Sequence, residues 1–263
     1  DRLRSRGLGD VYKRQEYVKS QYTGTQGENS LYYHNSSLAN GAGDNSYRYA
    51  GASASVNNYI CLGSDEATCP DAIVVSSDKN LGFAGGNNLG YQYAKGDYIF
   101  FLNNDMVIKT PILENMVNRL KNKSFAGVSP CLVFLYKPDI IQYYGYCEMT
   151  PITLKHTTES FDPSRRGDFM FPHETEVLHG GAMMVRREVI EEVGTMTEVY
   201  FLFYEEFDWS RRMREVGYKL FYEPTSVVYH KESMSIPKET PFREYYLTRS
   251  RLIYAWRNCQ GID

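Results

Sequence analysis

The run Asp97-Tyr98-Ile99-Phe100-Phe101-Leu102 breaks off into Asn103-Asn104-Asp105, and this break constrains the fold more than any other stretch. Gly96 opens the run, which is too short for a core helix and rich in β-branched and aromatic residues, so it predicts a buried strand. Open α/β sheets bind ligands in the crevice outside the carboxyl ends of their strands. A carboxylate at that position, flanked by amides, suits a divalent cation that also touches phosphates. Taken alone, the tripeptide fits a polar turn better than a metal site, since Asn and Asp dominate turns.

A chain of 263 residues can bury a full core, most simply as one α/β domain. Its net charge of -3 and pI near 6.0 argue against nucleic acid as a partner. Five cysteines, Cys61, Cys69, Cys131, Cys147 and Cys259, are odd in number and lack zinc-like spacing, which favours reduced thiols. No run is long and apolar enough to span a bilayer as a helix, and no signal-peptide pattern is present, so a cytoplasmic location is expected. The 23 tyrosines and 13 phenylalanines suit a sugar or nucleotide pocket, although aromatics also simply fill cores.

Residues 1–15 are basic and without periodicity, and are expected to be a non-native leader or a disordered arm. Glu16–Tyr22 reads as the tail of a helix. Thr25 to Pro70 reads as a long polar surface stretch with short strand-like pieces such as Tyr59–Leu62. Ala72–Val75 is a buried strand. The segment Asn80–Asn88 reads as a glycine-rich turn leading to a helix over Leu89–Lys95, whose first amides could meet an anion. Its glycine spacing matches neither common phosphate-loop pattern.

Thr110-Pro111 reads as the start of a helix with Ile112, Leu113, Met116, Val117 and Leu120 on its apolar face. Gly127–Leu135 predicts a strand, and 136–175 an irregular or hairpin region over the cleft. Glu176–Val185 reads as a strand broken by Gly180-Gly181, where a ligand or backbone comes close. Helices are expected over Arg187–Val193 and Asp208–Val216, and strands over Lys219–Tyr222 and Ser226–His230. Glu205, Glu206 and Asp208 have a structural explanation as acids complementing a helix dipole, and a lone strand-end His230 is more often a surface residue than a ligand. Phe242–Asn258 is a basic, aromatic helix that either closes the domain or lies against a membrane surface.

The order KNLGFAGGNN, GDYIFFLNND, LHGGAMMVRREVIEEVG, FLFYEEFDWSRRMREVGYKLFYEPTSVVYHK and YYLTRSRLIYAWRN resembles family-two glycosyltransferases of the GT-A fold, within them the rhamnosyltransferase-like subgroup. That resemblance implies an α/β fold, a Rossmann-like mixed sheet flanked by helices, with a GT-A domain over 16–241 and a C-terminal helix over 242–263. It implies inverting transfer of a sugar from a nucleoside-diphosphate donor to an acceptor hydroxyl, assisted by Mg²⁺ or Mn²⁺. Asp105 and His230 would be metal ligands. Glu206 would be the catalytic base, standing where the family has an aspartate, with Asp208 the competing candidate. Asn80, Gly82, Asn87, Asn88, Asn103 and Asn104 would meet the donor, Asn87 standing where many relatives carry an arginine. His179, Gly180, Gly181, Glu205 and Trp209 would line the sugar and acceptor side.

The expected acceptor is a glycan or lipid-linked sugar in surface polysaccharide assembly, at the inner face of the membrane, with peripheral contact through the terminal helix. The family's first strand–helix–strand unit is not recognisable here. The chain is therefore expected to be N-terminally truncated, to bind nucleotide poorly and to have lost activity. Two other readings stay open: an inactive sugar- or nucleotide-binding module of the same fold, and a sugar nucleotidyltransferase, which would want a basic triphosphate loop.

Overall fold

A computed structural model describes residues 47–53, 56–62, 72–77, 80–103, 105–145, 149–150, 153–154, 170–231 and 240–259. The leader over 1–15, the Glu16–Tyr22 helix and Asn104 lie outside the described residues. In chain order the elements are β1 (Tyr47–Ser53), β2 (Val56–Leu62), β3 (Ala72–Ser76), α1 (Gly82–Tyr91), β4 (Tyr98–Leu102), β5 (Met106–Ile108), α2 (Leu113–Leu120), β6 (Phe125–Phe134), β7 (Lys137–Tyr143), β8 (His173–Thr175), β9 (Ala182–Arg186), α3 (Arg187–Val193), a 3₁₀ turn (Glu198–Tyr200), α4 (Glu205–Glu215), β10 (Lys219–His230) and α5 (Pro241–Asn258).

The strands form one mixed sheet in the order β3-β2-β1-β4-β9-β6-β10-β5, with β7 added to β6 and β8 to β10. On one side β4 pairs with parallel β1, which is joined through a short link to antiparallel β2 and then β3. On the other side β4 pairs with antiparallel β9, in register Leu102↔Ala182. Beyond β9, β6 and β10 run parallel to each other and to β4, ending at Phe134↔His230. The carboxyl ends of β4, β6 and β10 therefore share one edge of the sheet, and β9 begins there.

Burial on both faces explains why β4 is apolar without alternation. Ile99 and Phe101 pack with Phe83, Val189, Trp209 and Met213 from α1, α3 and α4. Phe100 points the other way, into Met116, Leu120, Met184 and Tyr143, where α2 covers the sheet. Successive residues facing opposite layers is the period of a strand.

Several boundaries differ from those expected, each for a local reason. The glycine-rich segment is the helix α1 itself, because burial against the 198–204 segment outweighs the poor helix propensity of glycine. α2 begins at Leu113, so Thr110-Pro111 precedes it and provides no side-chain cap. The paired glycines precede β9 as a turn and do not interrupt it. α4 begins at Glu205, earlier than the predicted Asp208. The two strands expected around 219–230 are one strand, irregular between Glu223 and Val227. α3 and its Gly194 stop (φ +86°) fall where the sequence puts them.

Candidate active site

β10 delivers His230 to the same sheet edge at which β5 begins. The β5–β10 pairing sets His230 opposite Met106, and Lys231 N–H donates to the Asp105 carbonyl (2.9 Å), so the ladder fixes Asp105 beside the histidine. His230 Nε2 lies 3.2 Å from Asp105 Oδ2. On the far side of the ring, Nδ1 is 2.6 Å from Gln142 Oε1 on β7. An amide oxygen only accepts, so Nδ1 carries the proton. In the neutral ring the Nε2 lone pair then faces a carboxylate oxygen, an arrangement that calls for a positive charge between them.

The second carboxylate oxygen, Asp105 Oδ1, is buried and has no hydrogen-bond partner among the described residues. A buried orphan of this kind is costly unless something occupies it. The donor set, one carboxylate oxygen and one imidazole nitrogen oriented by an outer amide, suits a divalent cation. Among the described residues no group of three or more His, Cys, Asp or Glu gathers at a metal site. Asp105 and His230 would therefore be the protein ligands, with phosphate and water oxygens supplying the rest.

Next along the edge comes the His179-Gly180-Gly181 turn. The Asn103 N–H donates to the Gly181 carbonyl (2.9 Å), tying the tip of β4 to this turn, and Gly181 N–H donates to His179 Nδ1 (2.9 Å). Gly181 is in close approach, since a Cβ there would lie 2.3 Å from Met106 Cε, whereas a Cβ on Gly180 would only touch Phe83 (3.3 Å) and the Glu206 carboxyl carbon (3.6 Å). The Glu206 carboxyl thus lies against Gly180, and Met106, the neighbour of Asp105, lies against Gly181.

Glu206 and Glu205 open α4 after a strained lead-in: Phe201, Phe203 and Tyr204 all have positive φ (67°, 66° and 73°). Such residues cost roughly 1–3 kcal/mol each and cluster where a site must be aimed. Burial pushes the Glu206 carboxyl up to about 7. Glu205 is 2% exposed and its Oε2 is buried without a partner. Burial, reinforced by the neighbouring Glu206, holds it well above the usual carboxylate range. A carboxylate titrating near neutrality is suited to accept a proton from a hydroxyl.

Comparison with known proteins gives this geometry its context. The sequence profile described as "Glycosyl transferase family 2" matches residues 63–194. The chain belongs to glycosyl transferase family 2. It is 26% identical over 194 residues to the dTDP-rhamnosyl transferase RfbF of Shigella flexneri, covering 68% of this chain and 62% of that one. It is 23% identical over 148 residues to the low-salt glycan biosynthesis hexosyltransferase Agl10 of Haloferax volcanii, covering 55% and 47%. The chain thus spans about half to somewhat under two thirds of the length of these curated relatives. Among solved structures, GalNAc-T7 with UDP, GalNAc and Mn²⁺ superposes with a TM-score of 0.50 at 18% identity, over 59% of this chain and 31% of that one. That likeness establishes the GT-A fold.

Within this family-2 domain, several sequence-expected roles do not fit the geometry. Trp209 cannot stack on a sugar: it is 1% exposed, packs edge-on against Phe101 (5.5 Å) and donates Nε1–H to the Gly194 carbonyl (2.7 Å). Asp208 is fully engaged, accepting from Thr197 Oγ1 (2.7 Å), Tyr200 Oη (3.0 Å), Arg212 Nε (3.1 Å), Arg257 Nε (3.2 Å) and Asn258 Nδ2 (3.1 Å). Burial alone would raise its carboxyl, but these donors outweigh it and hold the group below its usual value. Asp208 is a clamp for α5, and a base needs a free acceptor.

The asparagines expected to meet the donor are mostly structural. Asn88 donates to the Met196 carbonyl and Glu198 Oε1 (2.9 Å each) and accepts from Met196 N–H (3.1 Å). Asn87 is buried and donates to the Phe83 carbonyl (3.0 Å). Asn80 Oδ1 accepts from Gly82 N–H (3.0 Å), and Phe83 N–H donates to the Phe201 carbonyl (2.8 Å), so these first amides of α1 are not turned to an anion. Gly82, at φ +69°, is required by the Phe201 backbone: a Cβ there would lie 2.3 Å from its carbonyl oxygen. Asn103 stands at the tip of β4, half-buried, with its carbonyl accepting from Met106 N–H (3.1 Å).

Sequence reading missed Gln142, whose signal is faint: a lone amide near the end of a strand in a segment read as irregular. It also missed the left-handed residues ahead of Glu205, since aromatic residues give no hint of positive φ.

Proposed function

We propose that this domain catalyses inverting transfer of a sugar from a nucleoside-diphosphate donor to an acceptor hydroxyl. The observation that supports the reading is the His179–Gly181 turn, with Glu206 against Gly180 and with Met106, beside the Asp105–His230 pair, against Gly181. A divalent cation, Mg²⁺ or Mn²⁺, would supply Lewis-acid stabilisation of the leaving diphosphate when bound. Asp105 contributes an oxygen and His230 a nitrogen to hold it. The strained 201–204 segment presents Glu206 beside Gly180. Glu206 takes the acceptor proton as the hydroxyl attacks, a contribution of typically ~10²–10⁴-fold. Glu205, its carboxyl raised by burial and by the neighbouring Glu206, lines the acceptor side.

The Shigella relative, a dTDP-rhamnosyl transferase, supports rhamnose as the transferred sugar, and the Haloferax relative, named for glycan biosynthesis, supports a glycan acceptor. The place of action on this reading is the cytoplasmic face of a membrane, where lipid-linked acceptors are held. Among the described residues no helix is long and apolar enough to cross a membrane.

The test is turnover with a panel of nucleotide sugars and Mn²⁺, comparing the chain with Glu206→Gln. A transferase loses turnover in the variant and keeps nucleotide binding. Donor binding without turnover in either protein would support a binding module and contradict the proposal.

A further inference from the structure

Four large hydrophobic side chains stand out of the protein along α5: Phe242 (50% exposed), Tyr245 (60%), Leu252 (66%) and Trp256 (85%). With Arg249 between them their spacing is three, four, three and four, so they form one stripe on one helix face. Arg249, within the stripe, donates to the carbonyls of Val199 and Tyr200 (3.0 Å each). The rest of the helix is occupied: Ser250 donates to the Leu202 carbonyl (2.8 Å), and Arg257 and Asn258 donate to Asp208. Tyr254, Leu247 and Ile253 pack into the domain and Tyr246 stacks on Phe201 (5.1 Å), so the helix is already seated and its second apolar stripe is left turned outward.

We propose that this stripe docks on an anionic lipid surface. The residue types are those that settle at a bilayer interface, aromatic rings with a polar edge beside aliphatic bulk. Charge points the same way: α5 carries Arg243, Arg249, Arg251 and Arg257 against Glu244 alone, in a chain whose net charge is -3. A second copy of the chain is a poorer occupant. The stripe offers on the order of 500 Å², short of the ~800 Å² per partner that a stable dimer buries. At 18 residues the helix is about 27 Å long, enough for one shallow contact along its length. Docking on this face brings the protein to the surface through the helix that also clamps the 199–208 segment, and with it Glu206. The inference takes from the proposed function only the place of action, and vesicle binding is read without turnover, so either can fail without the other.

Trp256 is one of two tryptophans, and the other, Trp209, is buried, so emission reports on the stripe. The chain is mixed with vesicles of phosphatidylcholine alone, or of phosphatidylcholine with phosphatidylglycerol, and followed by co-sedimentation and by the emission maximum. Expected are binding and a blue shift with the anionic vesicles that weaken with salt. Leu252→Glu, at an exposed position, should lower that affinity at least tenfold with circular dichroism unchanged, and Trp256→Phe should remove the shift. No binding to anionic vesicles, equal binding to neutral ones, or binding that Leu252→Glu leaves intact would overturn the proposal. So would lipid-free dimerisation that Leu252→Glu abolishes, since the stripe would then belong to a second copy.

Discussion

Asp105 Oδ2 and His230 Nε2 meet at 3.2 Å across the β5–β10 ladder while the other oxygen of Asp105 stays buried and unpartnered. A hydrogen-bonded pair explains only the first half of that arrangement. A cation shared by both residues explains all of it, and it makes the outer partner, Gln142, part of the site.

Gln142→Leu should weaken Mn²⁺ affinity about 10–100-fold, the usual consequence of removing the group that orients a ligating histidine. Titration followed by electron paramagnetic resonance measures this without turnover. Nitrogen NMR should show the His230 tautomers mixing in the metal-free variant. Gln142→Glu, which can still accept from Nδ1–H, should retain most of the affinity.

The rate should rise with pH through about 7, because Glu206 accepts a proton only when ionised and burial raises its carboxyl to that value. Glu206→Gln should flatten the profile and lower kcat roughly 10²–10⁴-fold. Stability runs the other way. A carboxyl raised by folding contributes fully below its unfolded value and loses that contribution as pH rises through its folded one. Denaturant titrations should therefore find Glu206→Gln gaining on the parent between about pH 5 and pH 8.

Asp208 separates structure from catalysis. Asp208→Ala leaves Arg257 and Arg212 without their buried partner, and breaking such a pair typically costs roughly 3–5 kcal/mol. Chemical denaturation should show a loss of that order, with α5 and its tryptophan released first. If Asp208→Ala kept its stability and lost only kcat, Asp208 would be the base instead of Glu206.

Gly82→Ala should destabilise the fold by more than about 1 kcal/mol, since the residue is left-handed and its Cβ meets a backbone oxygen. The measurement is the denaturation midpoint. A glycine kept for phosphate binding would instead show weaker nucleotide affinity at unchanged stability.

How far the sequence could be read follows from what each residue depends on. β4 and α3 were legible because a short apolar run and a helix stopped by Gly194 are local signals. Asp105, Glu206 and His230 carried no such signal and were singled out only through the order of five motifs. Trp209 and Asp208 were misread because they stand within one turn of Glu205 and Glu206, where helical spacing does not tell a cleft residue from a core one and only packing decides. The glycine-rich segment misled for a related reason: its glycines serve the Phe201 backbone, a neighbour distant in sequence. Gln142 reaches His230 across 88 positions, a pairing that only the folded sheet creates.

A crystal structure of the chain with a nucleoside diphosphate and Mn²⁺ tests the central claim most directly. The account predicts an anomalous peak at coordination distance from Asp105 Oδ1 and His230 Nε2, with Glu206 across the turn facing the space beyond the diphosphate. Manganese held away from Asp105 and His230, or Glu206 turned away from that space, would contradict it.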